Sequence, residues 1–163
     1  MTQSRLDKLN ASLSTGKLDS VILNPGPTLT YLTGLHFHLM ERPVVLLFAK
    51  DQIPALVLPE LELQKVADLP YKLQVFSYSE DPSEWDNAFR KAAQALGLDG
   101  KRIGVEPRQL RLLEFNYVKN AAPEADFPDA SEALSQLRLR KDKMEVEAMR
   151  RAVQIAQSAL EAT

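Results

Sequence analysis

The chain has 163 residues, 45% hydrophobic and 26% charged, which suits one folded domain with an appendage and excludes a disordered chain. The net charge is −2 with no basic run interleaved with aromatics, and the lack of cysteine excludes disulfide frameworks, thiolate metal sites and cysteine nucleophiles. The opening MTQSRLDKLN lacks a signal-peptide core and the apolar runs are too short to span a bilayer, so a soluble cytoplasmic protein with no nucleic-acid and no membrane partner is expected.

Leu6, Leu9 and Leu13 recur at helical spacing, which predicts an amphipathic helix over residues 4–13 that Gly16 stops. Residues 20–24 are a short apolar run ending in Asn24-Pro-Gly-Pro27, read as a buried strand. Pro27 presets the backbone, and Thr28 can cap a short helical turn over residues 29–32 that Gly34 closes. Two apolar runs, 44–49 and 53–58, flank Lys50-Asp51-Gln52 and predict a hairpin. Pro54, near the start of the second run, implies an edge strand or a bulge. Pro59 suits the first position of a helix carrying Leu61, Leu63, Val66 and Ala67, and Leu73, Val75 and Tyr78 alternate as a further strand.

Three later segments, Asp81-Pro-Ser-Glu84, Asp129-Ala-Ser-Glu132 and Asp142-Lys-Met-Glu145, each place an Asp three residues before a Glu, the pattern of a helix start. The first opens a helix over 82–96 with a stripe of Trp85, Ala88, Phe89, Ala92 and Leu96, ended by Gly97. A strand over 102–106, a helix over 107–119 with Leu110, Leu113 and Tyr117 on one side, and a short strand over 125–127 follow. Strands alternating with helices, plus one hairpin, predict a mixed sheet with helices on both faces. The basic group Arg138, Arg140, Lys141 and Lys143, interrupted by Asp142, reads as a solvated hinge. The last helix, 142–162, leaves Val146, Met149, Val153, Ala156 and Leu160 without cover, and so reads as the first element of a second domain.

Chemistry-bearing patterns are sparse. His36, His38 and Glu41 spell H-x-H-x-x-E, the residue types of a metal site. Histidines two apart share a side only on a strand, and their surroundings read as a loop, so no metal site is assigned. Glu60 with Glu62, and Glu145 with Glu147, diverge on a helix and do not form acid–base pairs. The glycines of residues 97–104 lie between a helix and a strand, the reverse of a phosphate loop. Trp85 reads as core, no serine sits in a G-x-S-x-G elbow, and no catalytic residue is assigned.

Three segments, in order, resemble the N-terminal domain of the creatinase/prolidase/Xaa-Pro aminopeptidase family of metallohydrolases. They are Pro27-Thr-Leu-Thr-Tyr-Leu-Thr-Gly34 with Glu41-Arg-Pro-Val-Val-Leu-Leu-Phe48, then Lys101-Arg-Ile-Gly-Val-Glu106, then Leu137-Arg-Leu-Arg-Lys141 followed by Glu145-Val146 and Met149-Arg-Arg-Ala152. Thr28 stands where the family usually has Asn, and Asp142-Lys143 replace a common Ser-Pro; both keep capping ability.

The resemblance implies a three-layer α/β/α domain with a mixed, ribonuclease H-like sheet over residues 1–131. Residues 132–163 would then be a linker and the first helix of a catalytic domain. It also implies an Xaa-Pro peptidase, an aminopeptidase P- or prolidase-like enzyme, as parent. The parent's two divalent ions (Mn, Co or Zn) would be held by residues beyond Thr163, so this stretch carries no metal or cofactor and is inactive alone. A homodimer acting on proline-containing peptides follows, with a loop of this domain reaching the partner subunit's active site. The positions matching that loop are residues 36–42, so His36, Phe37, His38 and Arg42 are the candidate substrate-binding residues. The same resemblance admits two other readings, a non-catalytic protein-binding module and a creatinase-type hydrolase.

Overall fold

The apolar runs become five strands of one sheet in a computed structural model that describes residues 3–162. They are β1 (Ser20–Leu23), β2 (Val45–Ala49), β3 (Ala55–Pro59), β4 (Gln74–Tyr78) and β5 (Ile103–Val105), in the order β4-β3-β2-β1-β5. β2 runs antiparallel to β1 and to β3, whereas β3/β4 and β1/β5 are parallel. The carboxyl ends of β1, β3, β4 and β5 therefore lie together at one end of the sheet, beside the start of β2.

The three central strands are buried along their whole length, which is why their sequences, Ser20 at the start of β1 apart, are continuously apolar rather than alternating. Val21, Leu23, Leu46, Phe48, Leu56 and Leu58 face one layer, and Ile22, Val45, Leu47, Ala55, Val57 and Ile103 the other. The first layer comes from α1 (Gln3–Thr15), α2 (Pro27–Thr33) and α5 (Ser131–Leu139), which contribute Leu9, Leu13, Leu29, Leu32, Leu134 and Leu137. The second comes from α3 (Pro82–Ala95) and α4 (Leu112–Ala121). The predicted stripe Trp85, Ala88, Phe89, Ala92 and Leu96 is buried there, with Phe89 stacked on Tyr117 at 4.9 Å between ring centroids. The three-layer mixed α/β/α architecture is thus the observed one.

The last helix, α6 (Lys143–Glu161), covers neither face and has no buried residue. Its first turn is closed reciprocally: Asp142 accepts from the Glu145 N–H at 2.9 Å, and Glu145 accepts from the Asp142 N–H at 2.8 Å. Among the described residues no helix is long and apolar enough to cross a membrane.

Several local expectations are corrected. Pro54 marks neither an edge nor a bulge: β3 lies inside the sheet, and Pro54 precedes it with its carbonyl accepting from Gln74 N–H at 2.9 Å. The segment after Pro59 is a 3-10 turn, Glu60–Val66, that leaves Leu61 and Leu63 exposed because only Val66 reaches the core. The helix expected from residue 107 begins at Leu112. Gln109 and Leu110 both donate to the Glu106 carbonyl in a single turn, and Arg111 then turns extended before α4 starts. That change of phase exposes Leu113 and buries Glu114 and Val118 instead. Residues 125–127 form no strand, only a bridge at Arg102–Asp126, and a second bridge at Val105–Asp129 follows. Thr28 does not cap α2; Gly26 holds that position. Asp129 accepts from Ser131 N–H, but the N-cap of α5 is Ala130.

Candidate functional site

The segment joining α2 to β2 is fixed by the threonines of its own helix. Gly34, at φ 76°, ends α2 by donating its N–H to the Thr30 carbonyl. Thr30 Oγ1 donates to the Leu35 carbonyl at 3.0 Å, and Thr33 Oγ1 accepts from the Leu35 N–H at 3.0 Å. Tyr71 donates its hydroxyl to the Thr33 carbonyl at 2.6 Å, and burial raises its phenol above the ordinary value.

Beyond this exit, Leu35 and Phe37 point into the core while His36 and His38 are exposed. The alternation is that of an extended chain, although no strand pairs with it, so both histidines project outward. Lys65 lies alongside, its Nζ 3.4 Å from the His36 carbonyl and 5.1 Å from the Phe37 ring centroid. Leu39 and Met40 are exposed at the tip.

Arg42 closes the loop. Its Nε donates to Glu80 Oε2 at 2.9 Å, its Nη2 donates to the same oxygen, and Glu41 lies 3.6 Å away. The hydrogen bonds that Arg42 donates to Glu80 raise its guanidinium above its ordinary value. Next in the chain, the Pro43 carbonyl accepts from the buried Tyr78 hydroxyl at 2.6 Å, and burial pushes that phenol well up. The structure therefore pins residues 36–42 at both ends and leaves the two imidazoles free-standing at the end of the sheet that carries the strand C-termini. Of the four candidates, His36 and His38 share a side, Phe37 is packed inward, and Arg42 acts on Glu80.

A second feature lies at the same end of the sheet. The turn after β5, the helix α5 and the first turn of α6 enclose a cleft of about 840 Å³ lined by Tyr31, Glu106, Arg108, Arg138, Lys141 and Glu145, among others. Thr28 Oγ1 donates to Glu106 Oε1 at 2.9 Å, so the first two of the three segments that carry the resemblance are joined by a side-chain bond. Sequence reasoning missed this pair, because nothing local links positions 28 and 106. The basic hinge residues Arg138 and Lys141 line the cleft rather than standing apart from it.

The described residues bring no metal-ligating set together. Among the described residues no group of three or more His, Asp or Glu converges on a point, and His36, His38 and Glu41 do not come together. Glu62 is engaged by Lys65 at 2.7 Å, and Glu145 by the α6 cap.

The family model described as the Creatinase/Prolidase N-terminal domain matches residues 5–140. The chain belongs to this family. As a creatinase/prolidase N-terminal domain it is 30% identical over 146 residues to an Xaa-Pro dipeptidase from Lactobacillus helveticus, covering 86% of this chain and 38% of that protein. Among solved structures it resembles a dipeptidase from Pyrococcus horikoshii OT3, at TM-score 0.82 and 26% identity over 97% of this chain and 43% of that one. It also resembles a proline dipeptidase from Streptococcus pneumoniae TIGR4, at TM-score 0.70 and 29% identity over 86% of this chain and 100% of that one. The curated relatives are much longer: the chain spans 43% and 38% of the two it matches. The last of these solved chains is matched along its whole length.

Proposed function

We propose that this chain is the substrate-gating and dimerising N-terminal domain of a cytoplasmic, metal-dependent Xaa-Pro dipeptidase, a protein cleaving the bond before proline. The observation that carries the reading is the family match over residues 5–140, taken with a relative named as an Xaa-Pro dipeptidase of which this chain spans 38%. Two divalent ions in the other half of such a protein would supply a metal-activated water as nucleophile. Among the described residues no cluster of carboxylates and histidines would hold them, so in this reading the chain's own residues bind and orient rather than cleave.

The loop geometry supports a role in trans. A gating group must be exposed, held at a fixed place and able to donate or accept hydrogen bonds; His36 and His38 meet all three conditions. Arg42, through Glu80, holds the loop against the start of α3, and Phe37 seats it in the core. In a homodimer, His36 or His38 donates a hydrogen bond to the peptide bound by the partner subunit.

The test is steady-state kinetics on an Xaa-Pro dipeptide, using this chain joined to its metal-binding half. His36→Ala and His38→Ala are expected to raise KM or lower kcat, by up to about tenfold if one neutral hydrogen bond is lost. Kinetics unchanged in the double variant would remove the gating role. The chain of residues 1–163 alone is expected to cleave no Xaa-Pro dipeptide, even with manganese or cobalt added. Turnover, or a stoichiometrically bound metal, in that sample would overturn the assignment.

A further inference from the structure

We infer that Arg5 is a positioning residue, a clasp that fixes the direction in which α6 leaves the α/β domain. Three elements meet at this one side chain. From α1, Arg5 Nη1 donates to the Tyr31 carbonyl of α2 at 2.5 Å, and its guanidinium carbon lies 4.2 Å from the centroid of the Tyr31 ring. Its other terminal nitrogen, Nη2, faces Glu145 Oε1 of α6 at 3.5 Å. The two charged side chains are only 28% and 20% exposed, so this pair is shielded from water more than an ordinary surface bridge.

Glu145 serves two partners at once. Its Oε2 accepts from the Asp142 N–H and closes the first turn of α6, which leaves Oε1 to Arg5. The cap fixes where the carboxylate sits relative to the helix axis, and Arg5 fixes where that carboxylate sits relative to the domain. Together they convert a point contact into a direction. A planar guanidinium suits this task because its donors and its face act at the same time, on Glu145, on a carbonyl and on a ring. A lysine offers one charge and no plane.

α6 has no buried residue to orient it, so the clasp supplies what packing does not. Tyr31 and Glu145 both line the 840 Å³ cleft, and the angle of α6 therefore sets the width of that cleft. What α6 leads into, the first helix of a metal-binding half, rests on the function proposed above. The clasp itself does not, and its test needs no activity.

The chain has no cysteine, so one cysteine on α3 at Lys91 and one on α6 at Arg151 can be spin-labelled uniquely and their separation measured by electron–electron double resonance. The parent chain is expected to show one narrow distance peak. In Arg5→Ala the population outside that peak should rise by up to about fivefold, the factor that one partly shielded ion pair supplies. Glu145→Gln should broaden the peak in the same way. Glutamine can still close the capping turn, so the helical circular dichroism of this variant should stay constant. Arg5→Lys should fall between Arg5→Ala and the parent. A broad peak in the parent chain, or an unmoved peak in both Arg5→Ala and Glu145→Gln, would overturn the clasp without touching the peptidase reading.

Discussion

Two glycines of the segments that carry the family resemblance are glycine for different physical reasons. A Cβ on Gly104 would lie 2.8 Å from Ala130 Cβ and 2.8 Å from Leu18 Cδ1, so the start of α5 closes on β5 only because no side chain stands there. Gly104→Ala is expected to cost about 1–3 kcal/mol through overpacking, read as a lower denaturation midpoint. Gly34 has no atom within 4 Å of its would-be Cβ, but its φ is 76°. Gly34→Ala therefore strains only the backbone, at a cost of about 1–2 kcal/mol. A second change separates the two: Ala130→Gly should recover part of the loss at position 104 and none at position 34. If recovery fails at 104, the crowding account is wrong. The sequence alone offered no such distinction, since contact between Leu18, Gly104 and Ala130 is set by the tertiary fold. The buried carboxylate of Glu114, held by Arg111 on the turn before it, was hidden for the same reason.

At the scale of elements, hydrophobic runs placed β2 and β3 well because burial on both faces leaves no polar residue in them. Helix starts were less legible. The Asp-x-x-Glu pattern marks α3 and α6, yet only Asp142 and Glu145 complete the reciprocal cap. Glu84 instead accepts from Ser79 Oγ at 3.3 Å, and Asp129 sits one residue before the cap of α5. The loop of residues 36–42 read as irregular, whereas Leu35 and Phe37 alternate inward with His36 and His38 outward; tertiary burial, not a ladder, makes that segment extended. The incomplete caps still titrate. Asp81 lies below the usual carboxylate value because its side chain accepts from the Ser83 N–H and then from the Ser83 hydroxyl, and Asp129 does so through the Ser131 hydroxyl and N–H. A carboxylate with a lowered folded value contributes stability above its unfolded value, and that contribution disappears as pH falls through the folded one. Thermal midpoints should therefore drop below about pH 4. Asp81→Asn keeps an acceptor but no titrating group, so its curve should be shallower there. A curve for Asp81→Asn that ran parallel to the parent's would show that the cap does not couple to pH.

For the whole molecule, the two hydrophobic layers share the three central strands β1, β2 and β3, so neither can be lost while the other stays folded. The body should unfold as one unit. α6 stands outside that unit: none of its 19 residues is fully buried, Glu145 and Val146 in its first turn are half-buried, and that turn ties it to the body. A helix of this length without a packed face is marginal in water, so its far end should melt independently of the body. The single tryptophan, Trp85, sits between α3 and the sheet and reports the body alone, whereas the far-ultraviolet dichroism reports every helix. With rising urea, helical signal should fall first while the Trp85 emission holds, and the two signals should then change together. Ending the chain at Lys141 should abolish the early phase and leave the Trp85 midpoint within error. That midpoint would move only if α6 were packed on the body in solution, and an early phase surviving the deletion would place the weak element elsewhere.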